Sequence, residues 1–171
     1  MQPEACWARR PSRRKGGVTL ELIIALPVWL IVLAATIEFG FFIANLQQLE
    51  MASRIGALAA SETNPLPNAG SIPGNITGAI DDQLETAGLE QCHVFLEHNV
   101  NGPAVTLEDG GPCTCSPPDP VELPFPTEGE YVRVTVCVEM TEMTPNLLKV
   151  FGLDLSGRMV SHASTYRHEG P

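Results

Sequence analysis

The chain has 171 residues, with twenty Asp and Glu against ten Lys and Arg, a formal net charge of −10 and five cysteines. The charge is polarised: residues 1–16 hold five basic side chains and one acidic one, whereas from Leu46 onward seventeen acidic side chains stand against five basic ones. An acidic body argues against nucleic acid or any other polyanion as partner, and most of these carboxylates read as a solvated surface.

Residues 1–16 read as a basic leader, with Arg9, Arg10, Arg13, Arg14 and Lys15 ahead of Gly16. Pro3, Pro11 and Ser12 disfavour a long helix there. From Leu22 to Ile37 no side chain is charged; Glu38 interrupts, and Phe39 to Ala44 is apolar again. As a helix, Leu22 to Ala44 is roughly 35 Å long at about 1.5 Å per residue. That is enough to cross a hydrocarbon core about 30 Å thick, where only a helix satisfies its own backbone groups. Residues 17–45 are therefore expected to form a transmembrane helix in contact with membrane lipid, with Pro27 removing one hydrogen bond inside it. The first basic residue beyond the span is Arg54. The positive-inside rule thus places the N-terminus in the cytoplasm and everything after Asn45 outside.

Three fates are open to such a segment. It is a secretory signal cut near its C-terminal end, where Leu33-Ala34-Ala35 offers small residues, or an uncleaved anchor, or a prepilin-type signal cut ahead of the helix. The apolar run continues through Phe42 and then passes without a Gly or Pro break into another helical pattern, which fits retention of the helix. Gly16, Gly17 and Glu21 fit the third fate. Glycine presents no side chain to exclude at a cut, and a cut between Gly16 and Gly17 makes Glu21 the fifth residue of the mature chain. A carboxylate at the edge of an apolar zone is costly and asks for a partner; the free amine of a neighbouring subunit would supply one. The other reading leaves Glu21 in the headgroup region of a plain anchor, favoured there by the helix dipole. The residues alone leave both open. Glu38 lies near the outer membrane–water boundary, where water solvates it or another subunit meets it.

Beyond the membrane, Leu46, Leu49, Ala52, Ile55 and Ala59 recur at helical spacing, so residues 46–62 are expected to continue as an amphipathic stem. Residues 63–171, starting with the Pro- and Gly-rich stretch Asn64 to Gly74, form the head. Thr77 to Ala87 reads as a short helix with Ile80 and Leu84 on one face and Gly88 as its stop. Cys92 to Val100 alternates as a strand, Asn101-Gly102 marks a hairpin, and Val105 to Leu107 returns. Asp109 to Glu130 reads as an irregular loop. Tyr131 to Met140 is the clearest strand, with Val132, Val134, Val136 and Val138 on one face. Pro145 to Phe151 suits a short helix ended by Gly152, and Arg158 to Arg167 a last strand. The expected fold class is α+β: a long N-terminal transmembrane helix running into an exterior domain with an antiparallel sheet of about four strands.

Cys6 lies in the leader; the other four, Cys92, Cys113, Cys115 and Cys137, lie outside the membrane. An oxidising exterior and an even count point to two disulfides. Cys113 and Cys115 are too close to pair comfortably with each other. Two connectivities remain: Cys92–Cys113 with Cys115–Cys137, or Cys92–Cys115 with Cys113–Cys137. A metal held by Cys113, Cys115, Cys92 and His93 is the competing use, but Cys-x-Cys is not the usual zinc spacing, so no metal and no cofactor is expected. The histidines His93, His98, His162 and His168 are scattered, and His98 beside Glu97 reads as a surface residue of a hairpin. No nucleophile elbow or phosphate-binding glycine loop occurs. The expected class is a structural or assembly component with no catalytic residues.

The run from Gly16 to Gly56 resembles the TadE-like family of the tight-adherence (Flp, type IVb) pilus system. The residues that carry the resemblance are Gly16, Glu21, Leu22, Pro27, Glu38-Phe39-Gly40, Gln47-Gln48, Ala52, Arg54 and Gly56. Leu22 departs from the family, which usually has an aromatic there. The resemblance implies a pilin-like fold and a minor pilin or pseudopilin in the bacterial inner membrane, with its C-terminal domain periplasmic or extracellular. It implies processing at Gly16 and Gly17 by a prepilin peptidase and assembly contacts of Glu21 and Glu38 with other pilin or pilus-assembly subunits, in adhesion or secretion. A plain single-pass anchor for an exterior partner-binding domain and a type II secretion-like pseudopilin are the alternatives.

Overall fold

The computed structural model describes residues 17–111, 113–116 and 129–168. Residues 1–16, with Gly16 and Cys6, lie outside the described part, as does most of the loop between Cys115 and Gly129. A single helix, α1 (Gly17–Glu62), dominates the molecule. Its 46 residues make a rod roughly 69 Å long at about 1.5 Å per residue. The helix runs through Pro27 as one element, and Thr36 folds its hydroxyl back onto the Val32 carbonyl at 2.8 Å. The expected span and stem are thus one continuous rod, because leucine and alanine favour helix on both sides of the boundary.

The rod has two environments. Through its first half the apolar side chains are bare: Leu22, Ile24, Trp29, Leu33 and Phe39 are all exposed, Trp29 at 72%. From Leu49 to Ala60 one face is sealed, with Leu49, Ala52, Ala57 and Ala60 fully buried. The head is built on that second half. Helix α2 (Gly74–Glu85) buries Ile76, Ile80 and Leu84, a spacing that puts all three on one stripe. It starts three residues ahead of the expected Thr77, because Ile76 and Thr77 both donate to the carbonyl of Pro73, which opens the first turn. Gly88, at φ +67°, closes the end where Leu89 N donates to Leu84 O.

Four strands follow: β1 (His93–His98), β2 (Val105–Gly110), β3 (Tyr131–Glu139) and β4 (Met159–Arg167). They form one antiparallel sheet in the order β2-β1-β3-β4. Asn101, at φ +59°, turns the β1–β2 hairpin. Strand β2 runs three residues past Leu107, pairing Gly110 with His93. The Asp109–Gly110 step expected in a loop is therefore ladder. Only glycine fits at its end, where a Cβ would come within 2.2 Å of the His93 ring. Between β3 and β4 lie a single helical turn, α3 (Met140–Met143), and a 3-10 turn, Leu147–Phe151. The turn starts later than expected because Asn146 takes the left-handed conformation (φ +48°).

One face of the sheet carries Val94, Leu96, Val132, Val134, Val136 and Val138 into a core shared with α1 and α2. The physical fit is tightest at Gly56. A Cβ there would lie 2.7 Å from Ile80 Cγ1, 2.8 Å from Ile80 Cδ1 and 3.2 Å from Val134 Cγ1. Gly56→Val is expected to destabilise the head by about 1–3 kcal/mol, the usual penalty for overpacking a sealed core. A urea titration reads this as a lowered midpoint at unchanged slope; an unmoved midpoint means that α2 gives way freely.

The opposite face of β1 is also covered. Phe95, Glu97 and Cys137 are buried, so β1 does not alternate between core and water as a half-exposed strand would. Tyr131 donates its hydroxyl to Glu97 at 2.7 Å, and Arg133 sits 3.5 Å from the same carboxylate. Burial and then the Glu97 contact push the Tyr131 phenol up to about 12.

Candidate functional site

The residues singled out in the sequence divide between the two halves of α1. Glu21 lies in the bare half and is exposed. Among the described residues it has no hydrogen-bond or ion-pair partner. Around it Ile24, Ala25, Val28 and Trp29 line a shallow, almost wholly apolar recess. A lone carboxylate on an apolar rod is what an intermolecular cation could complete, since nothing among the described residues neutralises it.

Glu38 is different. It is only 5% exposed, and its carboxylate accepts a hydrogen bond from the backbone N–H of Leu148 at 2.7 Å. Leu148 lies in the first turn of the 3-10 element, where backbone N–H groups lack an internal acceptor. Glu38 therefore caps that turn from across the chain and clamps it to α1. The expectation of a solvated Glu38 is corrected here. Chain segments more than a hundred residues apart in sequence meet at this height, which no local pattern reveals. Asn45 makes a second clamp, its side-chain amide donating to Met143 O at 2.7 Å.

The rest of the motif-bearing run works inward. Gln48 accepts from the Gln83 amide of α2 at 2.9 Å. Ala52 and Gly56 leave room for the sheet and α2, and Arg54 pairs with Glu50 one turn away on the exposed side. Ser53, between them, is fully buried. Its Oγ lies 2.9 Å from His162 Nδ1 and 2.9 Å from Ser164 Oγ, and it donates to Glu50 O at 2.8 Å. With Ser53 and Ser164 buried and His162 half-buried, this cluster fastens α1 to β4. Sequence reasoning passed over Ser53, Ser164 and Asn45; the available signal was a polar residue in the small-residue stripe of an otherwise apolar helix face.

The other histidines are also fasteners. His98 is fully buried, not on the surface; its Nε2 lies 3.0 Å from the Pro67 carbonyl and holds the loop after α1. His168 Nε2 lies 3.2 Å from Thr63 O at the end of α1, and His93 stacks on Phe95 with ring centroids 4.5 Å apart. The cysteines pair as Cys92–Cys113 and Cys115–Cys137, the first of the two open connectivities. All four sulfurs are taken up in bridges that tie the loop after β2 to both central strands.

The 146–156 segment is held by its own polar residues. Asp154 accepts from the Ser156 hydroxyl, the Ser156 backbone and the Asn146 side chain and pairs with Lys149 at 3.2 Å. The Ser156 contacts foremost hold its carboxyl well below the usual carboxylate range.

Fold and site together define a class: an α+β head with an antiparallel four-stranded sheet, carried on one N-terminal helix long and apolar enough to cross a membrane. The likeness to a known family lies in the helix itself. Residues 16–58 match the model of the TadE-like protein family, a pilus-associated structural family, as the resemblance of the same stretch implies. No curated protein and no solved structure matches the chain.

Proposed function

We propose that this protein is a membrane-anchored minor pilin or pseudopilin of a tight-adherence (type IVb) pilus. The single observation that carries the reading is the division of α1. The Glu38-to-Gly56 part of the matched segment is consumed in holding the head, whereas the Glu21 part stays bare and apolar, its carboxylate uncompensated among the described residues. In this reading residues 17–45 span the inner membrane with the N-terminus cytoplasmic, 46–62 are the stem, and 63–171 are the exterior head. A prepilin peptidase removes 1–16, and the new amine of one subunit pairs with Glu21 of another as their helices pack together. The role is structural, with other pilin or pilus-assembly subunits as partners.

The mature chain is expected to start at Gly17. Intact-mass spectrometry of protein extracted from membranes should show the loss of Met1 to Gly16. Retention of Met1 in functional material points to a plain anchored domain, and a cut near Ala35 points to a secreted head; either result removes the pilin reading.

A further inference from the structure

We propose that the segment from Leu147 to Leu155 is a lipid-seated foot of the head. In this arrangement Leu147, Val150, Phe151 and Leu153 enter the outer boundary of the same bilayer that α1 crosses. The inference rests on the membrane-anchored reading above and adds to it a second, peripheral contact between head and membrane.

Height is the first argument. Glu21 and Glu38 are separated by roughly 26 Å along the helix axis at about 1.5 Å per residue, close to the roughly 30 Å of a hydrocarbon core. With Glu21 at the inner boundary, Glu38 comes to the outer one. The 3-10 turn is clamped to Glu38 through Leu148 N, so the foot is held at that level and cannot ride up with the rest of the head.

Composition is the second. Val150 is 87% exposed, and Leu147, Phe151 and Leu153 are also exposed. Among the described residues these are the bare large apolar side chains of the head's connecting segments, and they gather on one short turn. Beside them on α1 lies Phe39, also exposed, so the apolar surface of the rod reaches the foot. Between the two runs a recess whose surface is nearly all apolar, walled by Phe39, Phe42, Leu148 and Leu153 with Glu38 and Thr144 at its polar points, a surface suited to an acyl chain.

The backbone is the third. A segment can enter lipid only if its polar backbone groups are satisfied within the protein. Here Lys149 N donates to Asn146 O, Gly152 N to Lys149 O and Leu153 N to Leu148 O, while Leu155 N donates to the Asn146 side chain. Lys149 and Asp154, paired and half exposed, form the polar side of the turn, where a long side chain reaches the headgroups. A neighbouring copy could cover an apolar turn as well, but lipid is favoured because the height of the clamp places the turn at the bilayer edge in a single chain, without a partner.

The test uses the full chain reconstituted at one copy per nanodisc, in phosphatidylcholine with brominated acyl chains as depth-resolved quenchers of indole fluorescence. With Trp7, the other tryptophan of the chain, replaced by Phe in every variant, Trp29 reports on the span itself. Phe151→Trp in a Trp29→Phe background reports on the foot, and Tyr166→Trp in the same background is the control, since Tyr166 pairs with Val132 at the end of the sheet near Thr63. Phe151→Trp should be quenched at least twofold by lipid brominated near the headgroup end of the chain and emit further to the blue than Tyr166→Trp, which should stay unquenched. Adding Val150→Asp should bring the quenching of Phe151→Trp down toward that control. If Trp29 is quenched and Phe151→Trp is not, the foot is overturned while the anchor stands. An unquenched Trp29 removes the anchor and the foot together. A blue shift at 151 that needs several copies per disc and is insensitive to bromine assigns the turn to a second subunit instead, which also overturns the proposal.

Discussion

Glu21→Ala is expected to abolish incorporation into the pilus machinery while leaving insertion, disulfides and the folded head intact. The helix from Glu21 to Ala60 is roughly 60 Å long, and Glu21 has no partner among the described residues, so its loss removes nothing from the head. What it removes is a charge that a packed bundle of apolar helices must neutralise. Breaking a buried ion pair typically costs about 3–5 kcal/mol, which corresponds to more than a 100-fold loss in association. Glu21→Gln keeps the size and loses the charge, and should behave like the alanine variant. The measurement is complementation of pilus formation, with membrane level and processing followed in parallel. Wild-type pili from Glu21→Ala at equal protein level would leave Glu21 a headgroup residue and the plain anchor as the better reading.

Glu38 makes the informative contrast. Its carboxylate already has a partner in its own chain, the Leu148 N–H. Glu38→Gln retains an oxygen that can accept this bond and should be mild. Glu38→Ala strands a half-buried donor, at a cost of about 1 kcal/mol, and should loosen the 3-10 turn and so lower head stability. The two glutamates of the family segment are thus expected to fail differently, one in assembly and the other in folding.

Removing the Cys115–Cys137 bridge by replacing both residues with alanine is expected to cost the head on the order of 3 kcal/mol. The bridge closes a loop with a sequence separation of 22, and loop-closure entropy for such a length is about 3 kcal/mol. The loss is compounded by position. Cys137 is fully buried in β3, opposite His93 of β1, so its bridge covers the face of the central strands that neither helix reaches. A 100-residue head has only some 5–15 kcal/mol of stability in all. Urea unfolding followed by near-ultraviolet circular dichroism measures the change, and non-reducing peptide mapping of the parent protein checks the pairing. A midpoint equal to that of the parent would show that the loop contributes nothing to holding the sheet.

Much of this protein could be read along the line of the chain. An uncharged stretch from Leu22 to Ile37, a helical apolar spacing through Ala59 and valine alternation from Val132 to Val138 are one-dimensional patterns. Each reports a local geometry that hydrophobic burial and backbone hydrogen bonding impose directly. They sufficed for the long helix, the α+β class and the sheet. What they could not carry was the identity of partners distant in sequence. That Glu38 caps a turn near residue 148, that His98 holds the Pro67 carbonyl, that both faces of β1 are covered and that Cys92 chooses Cys113 over Cys115 all depend on strand order and register. Those are decided only when the whole core packs, because a side chain's solvation and its hydrogen-bond partner are set by what the remainder of the fold brings against it. Glu21, which the described fold brings nothing against, is where the chain's own interactions end and those of an assembly would begin.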